Sequence, residues 1–228
     1  MTTQDDDTTI TRALQALEND DSSVRLRAAM AVGTRPDERF VTTLVARCAV
    51  EPEFLVRDML TWAITRHPSA LTIPTLIAEL GSERAQARSQ ALHTLSKIGD
   101  RRAWPAITRA LLTDADDEVA RSAWRAAVVL VPDGEESGLA GVLATQLGRG
   151  GRATQVSLSR ALIALGEVIT ASLRAAKKDL DPRVRGHAIA TERLWHDPDA
   201  GFEFGVEEAK RVVALGPTGQ EVTGGVDR

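Results

Sequence analysis

Ala87-Arg88-Ser89-Gln90-Ala91-Leu92-His93-Thr94-Leu95-Ser96-Lys97-Ile98-Gly99-Asp100 is the stretch on which the fold turns. Its apolar positions Ala87, Ala91, Leu95 and Ile98 step by three or four, which is one face of a helix, and Gly99-Asp100 stops it. Outward from it the same local pattern recurs as Val24-Arg25, Val56-Arg57, Ala120-Arg121 and Val184-Arg185. The five arginines lie 32, 31, 33 and 64 residues apart, the last gap being two periods. The skipped unit is Val156-Ser157-Leu158-Ser159-Arg160-Ala161-Leu162-Ile163-Ala164-Leu165-Gly166, where the apolar spacing persists without the arginine. Self-similarity at a fixed period of this length marks a repeat array, in which each unit buries its apolar face only against its neighbours.

A second apolar run precedes each of these helices: 10–17, 40–50, 73–80, 104–112, 139–147 and 168–176. Two helices per unit and about six units follow. Breakers divide them, at Gly33, His67-Pro68, Gly99-Asp100, Pro132-Asp133-Gly134, Gly166 and Asp197-Pro198. Pro74 and Pro105 hold matching places near the start of the first helix of units three and four. Four of the five arginines have an acid four residues earlier, Asp21, Glu53, Asp117 and Asp181, while Arg84 holds that place in unit three. An acid there is placed to cap the helix, and the arginine one turn on is placed to reach an acid in its own or the adjoining turn. A ladder of such pairs is expected along the stack.

These features resemble the HEAT repeat family, whose second helix reads as an acidic turn, Val-Arg, alanine at helical spacing and a Leu-Gly-x-Ile-Gly-Asp close. The stretch 87–100 carries the closest match, and the resemblance runs from about Thr8 to Ala200. It implies an all-α solenoid with the second helices on the concave side, where partners of such arrays lie. The organisation expected is an acidic polar tail at 1–7, the solenoid at 8–200, a capping helix at 201–215 centred on Phe204 to Leu215, and a flexible tail at 216–228.

Composition agrees with closely stacked helices. Aromatic residues make up 4% of the chain and tyrosine is absent, so alanine, leucine, valine and isoleucine must build the interior. Basic and acidic residues number 28 and 32, a net charge of −4, which is no general footprint for nucleic acid. One cysteine, Cys48, excludes an internal disulfide and reads as a small core residue. No apolar run is long enough to span a bilayer, and the polar start lacks the marks of a secretory signal. A cytoplasmic protein is expected, and the bias to arginine over lysine, four of 28, suggests a bacterial genome rich in G and C.

Candidate binding residues are the polar and aromatic positions that leave the apolar stripe of the second helices: Asp58, Trp62, Arg66, Arg88, His93, Arg121, Arg125 and Arg160. Arginine and tryptophan together are the composition that binding hot spots favour. For the repeat arginines the alternative is a purely structural pair within the stack. Trp62 stands apart because Val56, Met59 and Ala63 already supply the apolar stripe of its helix, so its ring is expected to be partly exposed. The four histidines have no metal spacing, and His67 and His196 read as solvated or capping residues in turns. Gly148-Arg149-Gly150-Gly151-Arg152 lacks the Gly-Lys-Ser/Thr ending and the preceding strand of a phosphate loop, and reads as a turn between helices.

The function expected is a non-catalytic scaffold that holds a protein or peptide partner on the concave face, with no cofactor or metal. Two alternatives from the same resemblance stand beside it. One is a ligand-sensing module that works with a separate DNA-binding protein. The other is a DNA-alkylation-repair glycosylase, for which Asp58, Trp62, Arg88 and Arg125 would line the groove, although an acidic chain is a poor match to a phosphate track.

Overall fold

The computed structural model describes residues 3–198, so the stretches assigned to a capping helix and a C-terminal tail lie outside the described residues. Among the described residues all regular structure is helical. The helices come as pairs: α1 (Thr3–Leu17) with α2 (Ser22–Thr34), α3 (Val41–Val50) with α4 (Phe54–Thr65), and α5 (Ser69–Glu79) with α6 (Ala85–Ile98). There follow α7 (Arg109–Leu112) with α8 (Asp117–Leu130), α9 (Glu136–Ala144) with α10 (Arg152–Ala164), and α11 (Thr170–Ala176) with α12 (Pro182–His196). Short 3-10 segments, Glu38–Phe40, Arg101–Ala106 and Gly166–Ile169, lead into α3, α7 and α11. The chain forms two compact units that divide between Leu139 and Ala140.

In the first unit the second helices stack in chain order, α2 on α4, α4 on α6 and α6 on α8, and the first helices stack likewise, α1 on α3 and α3 on α5. Alanine makes the close approach possible. Ala120, Ala123, Ala126 and Ala127 are all fully buried on α8. Among them lies the fully buried Trp124, whose Nε1–H donates to the carbonyl of Leu112 at 2.8 Å. That carbonyl closes α7 and has no partner inside its own helix, so the ring fills space and satisfies a helix end together.

The repeat arginine acts as a staple across the turn between paired helices. Arg25 Nη1 donates to the carbonyls of Asn19 and Asp20 at 2.8 Å each. Arg57 reaches those of Glu51 and Pro52, Arg88 those of Ser82 and Glu83, and Arg185 those of Asp179 and Leu180, always six and five residues back. The residue six back closes the same turn with its own side chain, accepting the N–H two residues on: Asn19 from Asp21, Glu51 from Glu53, Ser82 from Arg84, Asp179 from Asp181. In units one, two and six the acid four back from the arginine does not pair with it. Asp21 and Asp181 instead cap their helices, accepting the N–H of Ser23 and Arg183, and Glu53 makes no side-chain cap at all. Where the arginine finds a carboxylate, it is 26 residues ahead: Arg25 on Glu51 and Arg88 on Asp114.

Unit four is offset by one residue from the spacing of Asp117 and Arg121 read in the sequence. Its cap is Asp116, which accepts from Glu118 and Val119, rather than Asp117. Counting four from the cap, the staple position is Ala120, and Arg121 lies one residue past it, pairing with Glu118 of its own helix while its Nε is buried without a partner. In unit five the position is Gln155, whose Nε2 donates to the carbonyl of Gly150, five back.

Other boundaries differ from the sequence reading for local reasons. The first helix begins at Thr3, within the stretch assigned to a polar tail. Pro74 sits inside α5, which starts at Ser69 rather than Ile73. Pro105 cannot donate and its ring obstructs the preceding turn, and the first helix of unit four is there a 3-10 segment followed by a single α turn. Gly33 lies within α2 instead of ending it, and a Cβ on it would stand 2.3 Å from Trp62 Cζ3. His67, read as a solvated or capping residue in a turn, is buried rather than solvated, with Nδ1 2.9 Å from the carbonyl of Ala63 in the last turn of α4 and Nε2 3.1 Å from that of Asp37. Cys48 is buried as expected, and burial pushes its thiol up to about 11.

In the second unit α12 packs on α10 and α11. The turn before α10 is well formed: Gly148 has a φ of +80°, and a Cβ on it would meet the backbone N of Val184 at 3.0 Å, so both conformation and close approach require glycine. The Gly148 N–H donates to Nδ1 of the buried His187 at 3.0 Å. On the other side of that ring Nε2 lies 3.0 Å from both the carbonyl of Gln155 and Ser159 Oγ, and Ser159 Oγ is 2.7 Å from Thr191 Oγ1.

Candidate functional site

Three of the residues expected on the binding face meet in one groove of the first unit. Asp58 on α4, His93 on α6 and Arg125 on α8 line a space of about 230 Å³ together with Phe54, Arg57, Thr61, Ser89, Gln90, Glu118 and Ser122. Stacking of α4, α6 and α8 places the same helical position of successive repeats side by side, so residues about 32 apart become neighbours. The residues missed by sequence, Phe54, Gln90, Glu118 and Ser122, could have been found by helical spacing. Phe54 lies four before Asp58, Gln90 three before His93 and Ser122 three before Arg125, hence on the same faces.

The charged groups of the groove differ in how they are engaged. Arg57 is committed to the turn carbonyls and lies 5.9 Å from the Phe54 ring centroid. Glu118 pairs with Arg121. Asp58 makes no ion pair or hydrogen bond with its side chain, and neither ring nitrogen of His93 has a partner, among the described residues. Among the described residues Arg125 holds only the neutral hydroxyl of Ser122, at 3.0 Å. Burial, then Arg125 and Lys97, hold the His93 imidazole below its ordinary value, against the pull of Asp58. Desolvation and the neighbouring Arg121 lower Arg125 in turn, against the pull of Glu118.

An apolar edge accompanies the groove. Phe54 and Leu55 on the first turn of α4 are 68% and 69% exposed, and Trp62, two turns on, is 40% exposed. The Trp62 ring rests on the bare backbone of Gly33, which is what lets a large side chain lie across α2 while keeping one edge in solvent. Arg66 is exposed at the end of the same helix. Of the remaining expected residues, Arg88 and Arg121 are engaged as described above, and Arg160 is exposed on α10 of the second unit.

Two other places have features of a site. A cavity of about 690 Å³ beside α1 and α2, lined by Ile10, Ala13, Met30 and Phe40, is larger but mostly apolar. Ser159 and His187 stand at the distance of a nucleophile and its base. Yet Nδ1 accepts from the Gly148 N–H, so the ring proton sits on Nε2, and Nε2 cannot take a proton from Ser159. Burial holds this imidazole down at about 4. The cluster is a satisfied core network.

Comparison with known proteins agrees with this architecture. Residues 52–127 match the family model of HEAT repeats, a span that begins at the turn before α4 and runs into α8 and so contains the groove. No curated protein matches the chain. Twelve chains of solved structures do. One is the karyopherin Kap121p, in its crystal structure bound to the extreme C-terminus of the protein phosphatase Cdc14p, with a TM-score of 0.56 and 21% identity. The match covers 80% of the present chain but 23% of the karyopherin, so the chain spans about a quarter of that protein's length, and the likeness is one of fold.

Proposed function

We propose, from the match of residues 52–127 to HEAT repeats, that this chain is a non-catalytic scaffold that binds a protein or peptide partner on the face made by α4, α6 and α8. The observation that carries the reading is the groove: Asp58, His93 and Arg125, none of them in an ion pair among the described residues, beside exposed Phe54 and Trp62. Buried aromatic anchors ringed by charged groups are what polypeptide hot spots use. The similar karyopherin, held to the end of another protein chain, is consistent with this use of the fold. Asp58 in the groove weighs against a track for nucleic-acid phosphates, since a carboxylate there repels them.

The test is a photo-crosslinking residue introduced at His93, with one at Lys178 of the second unit as control. Irradiation in native extract should attach a discrete polypeptide at His93, and Arg125→Glu should remove it. Labelled duplex DNA, plain and alkylated, should bind weakly at physiological salt. Tight duplex binding that Arg88→Ala with Arg125→Ala abolishes, or base release that Asp58→Asn stops, would replace the scaffold with a repair enzyme.

A further inference from the structure

The groove between α4, α6 and α8 carries its unmatched charges on different helices. Among the described residues Asp58 on α4 has no ion pair or hydrogen bond from its carboxylate, and Arg125 on α8 has no carboxylate in bonding reach, Glu118 acting on it only through space. They face the same small space and do not bridge each other. Three other arginines on the second helices of this unit are taken up by carboxylates: Arg25 by Glu51, Arg88 by Asp114 and Arg121 by Glu118. His93, on the helix between them, adds no third charge at neutral pH, because burial, then Arg125 and Lys97, favour its neutral form.

Arg125 is also held in place in advance. Its Nη2 donates to Ser122 Oγ, which lies 3.0 Å from Ser89 Oγ, and both serines are buried. Ser89 Oγ donates in turn to the carbonyl of Glu118 at 3.4 Å. A guanidinium fixed from behind by buried hydroxyls loses little freedom when it grips a carboxylate with its fork.

We infer that this groove takes a polypeptide segment bearing one acidic and one basic side chain, the acid on Arg125 and the base on Asp58. A segment of single sign would satisfy one wall and be repelled by the other, whereas a mixed pair matches both. The exposed ring of Phe54, already beneath the Arg57 guanidinium, offers its edge of the groove to the methylene stem of the basic residue. The inference rests on the reading that this face binds polypeptide.

A random heptapeptide phage library panned on the full chain tests it. Enriched sequences should carry an acid and a base at constant spacing. Panning on Arg125→Met should lose the acid and keep the base, and Asp58→Asn should do the reverse. A synthetic peptide of the enriched sequence should bind each variant at least about tenfold more weakly, the scale of one charge-assisted pair. Both residues are exposed, so circular dichroism melts of the variants should match the parent. Enriched sequences that need the groove but carry charges of one sign, or none, would overturn the inference and leave peptide binding standing. Enrichment indifferent to both substitutions, together with no crosslink at His93, would overturn the two together.

Discussion

Arg25 and Glu51 join the first helix pair to the second through two parallel hydrogen bonds of 2.7 Å, with side chains 6% and 0% exposed. Burial alone would push the Glu51 carboxyl up, but Arg25, the Glu53 N–H and Arg47 outweigh it and hold it at about 2. Removing one partner of such a pair strands the other charge. Glu51→Gln should therefore cost about 3–5 kcal/mol in urea unfolding. In the parent, the stabilisation from this carboxylate is complete above the unfolded value near 4.5 and fades as pH falls toward 2, because the unfolded chain binds the proton first. The variant should lack that component of the acid transition, and an unchanged profile would count against the pair.

The staple predicts that arginine is special at its position. Lysine has no fork to span two carbonyls, so Arg185→Lys should destabilise the second unit by about 1 kcal/mol. Gln155→Arg, which restores the fork in unit five, should be neutral or stabilising by up to about 1 kcal/mol. A marked loss from the second substitution would show that the turn before α10 cannot accept the staple.

His187 predicts a second pH dependence of opposite chemistry. The unfolded imidazole takes a proton below a pH of about 6.5, the folded one below about 4. Between those values the unfolded chain holds more protons, so stability is complete above about 6.5 and is lost as pH falls, on the order of 3 kcal/mol in all. Denaturant melts at pH 7 and 4.5 should show this loss in the parent and a smaller one in His187→Gln.

Gly33 and Trp62 should be coupled. Alanine favours helix over glycine by roughly 1 kcal/mol, but its Cβ would overlap the Trp62 ring at 2.3 Å. Gly33→Ala should thus cost about 1–3 kcal/mol as an overpacked contact and shift tryptophan fluorescence as the ring is displaced. With Trp62→Leu in place the same change should cost less. Additive losses would mean that the ring has room to yield.

The period of the array was legible because every second helix must bury the same stripe, so Ala87, Ala91, Leu95 and their counterparts recur in register. The register of unit four was not. Asp114, Asp116, Asp117 and Glu118 offer several acids, and which one caps the helix depends on Asp114 Oδ1 closing the turn onto the Asp116 N–H. Gln155 was not legible because no arginine marks its position, whereas the turn requires only a donor that reaches a carbonyl. For the groove, Asp58, His93 and Arg125 were visible as polar residues leaving an apolar stripe, but the freedom of these three depends on which neighbours claim Arg57, Arg121 and Glu118. Spacing along one chain does not reveal that competition. Gly33 misled for a related reason: as a helix breaker it has a local explanation, while its actual role is set by a ring 29 residues away.

The staple has a consequence for how such a chain can change length. Arginine, the two carbonyls it grips and the side chain that closes the turn all lie within seven consecutive residues, so a duplicated gene segment brings the whole corner with it, already correct. The carboxylate 26 residues ahead is different, because it belongs to whatever follows. Copying a unit thus preserves its shape automatically and leaves open only how firmly it grips its new successor, which makes the junction, and not the fold, the place where selection on a longer or shorter array would act.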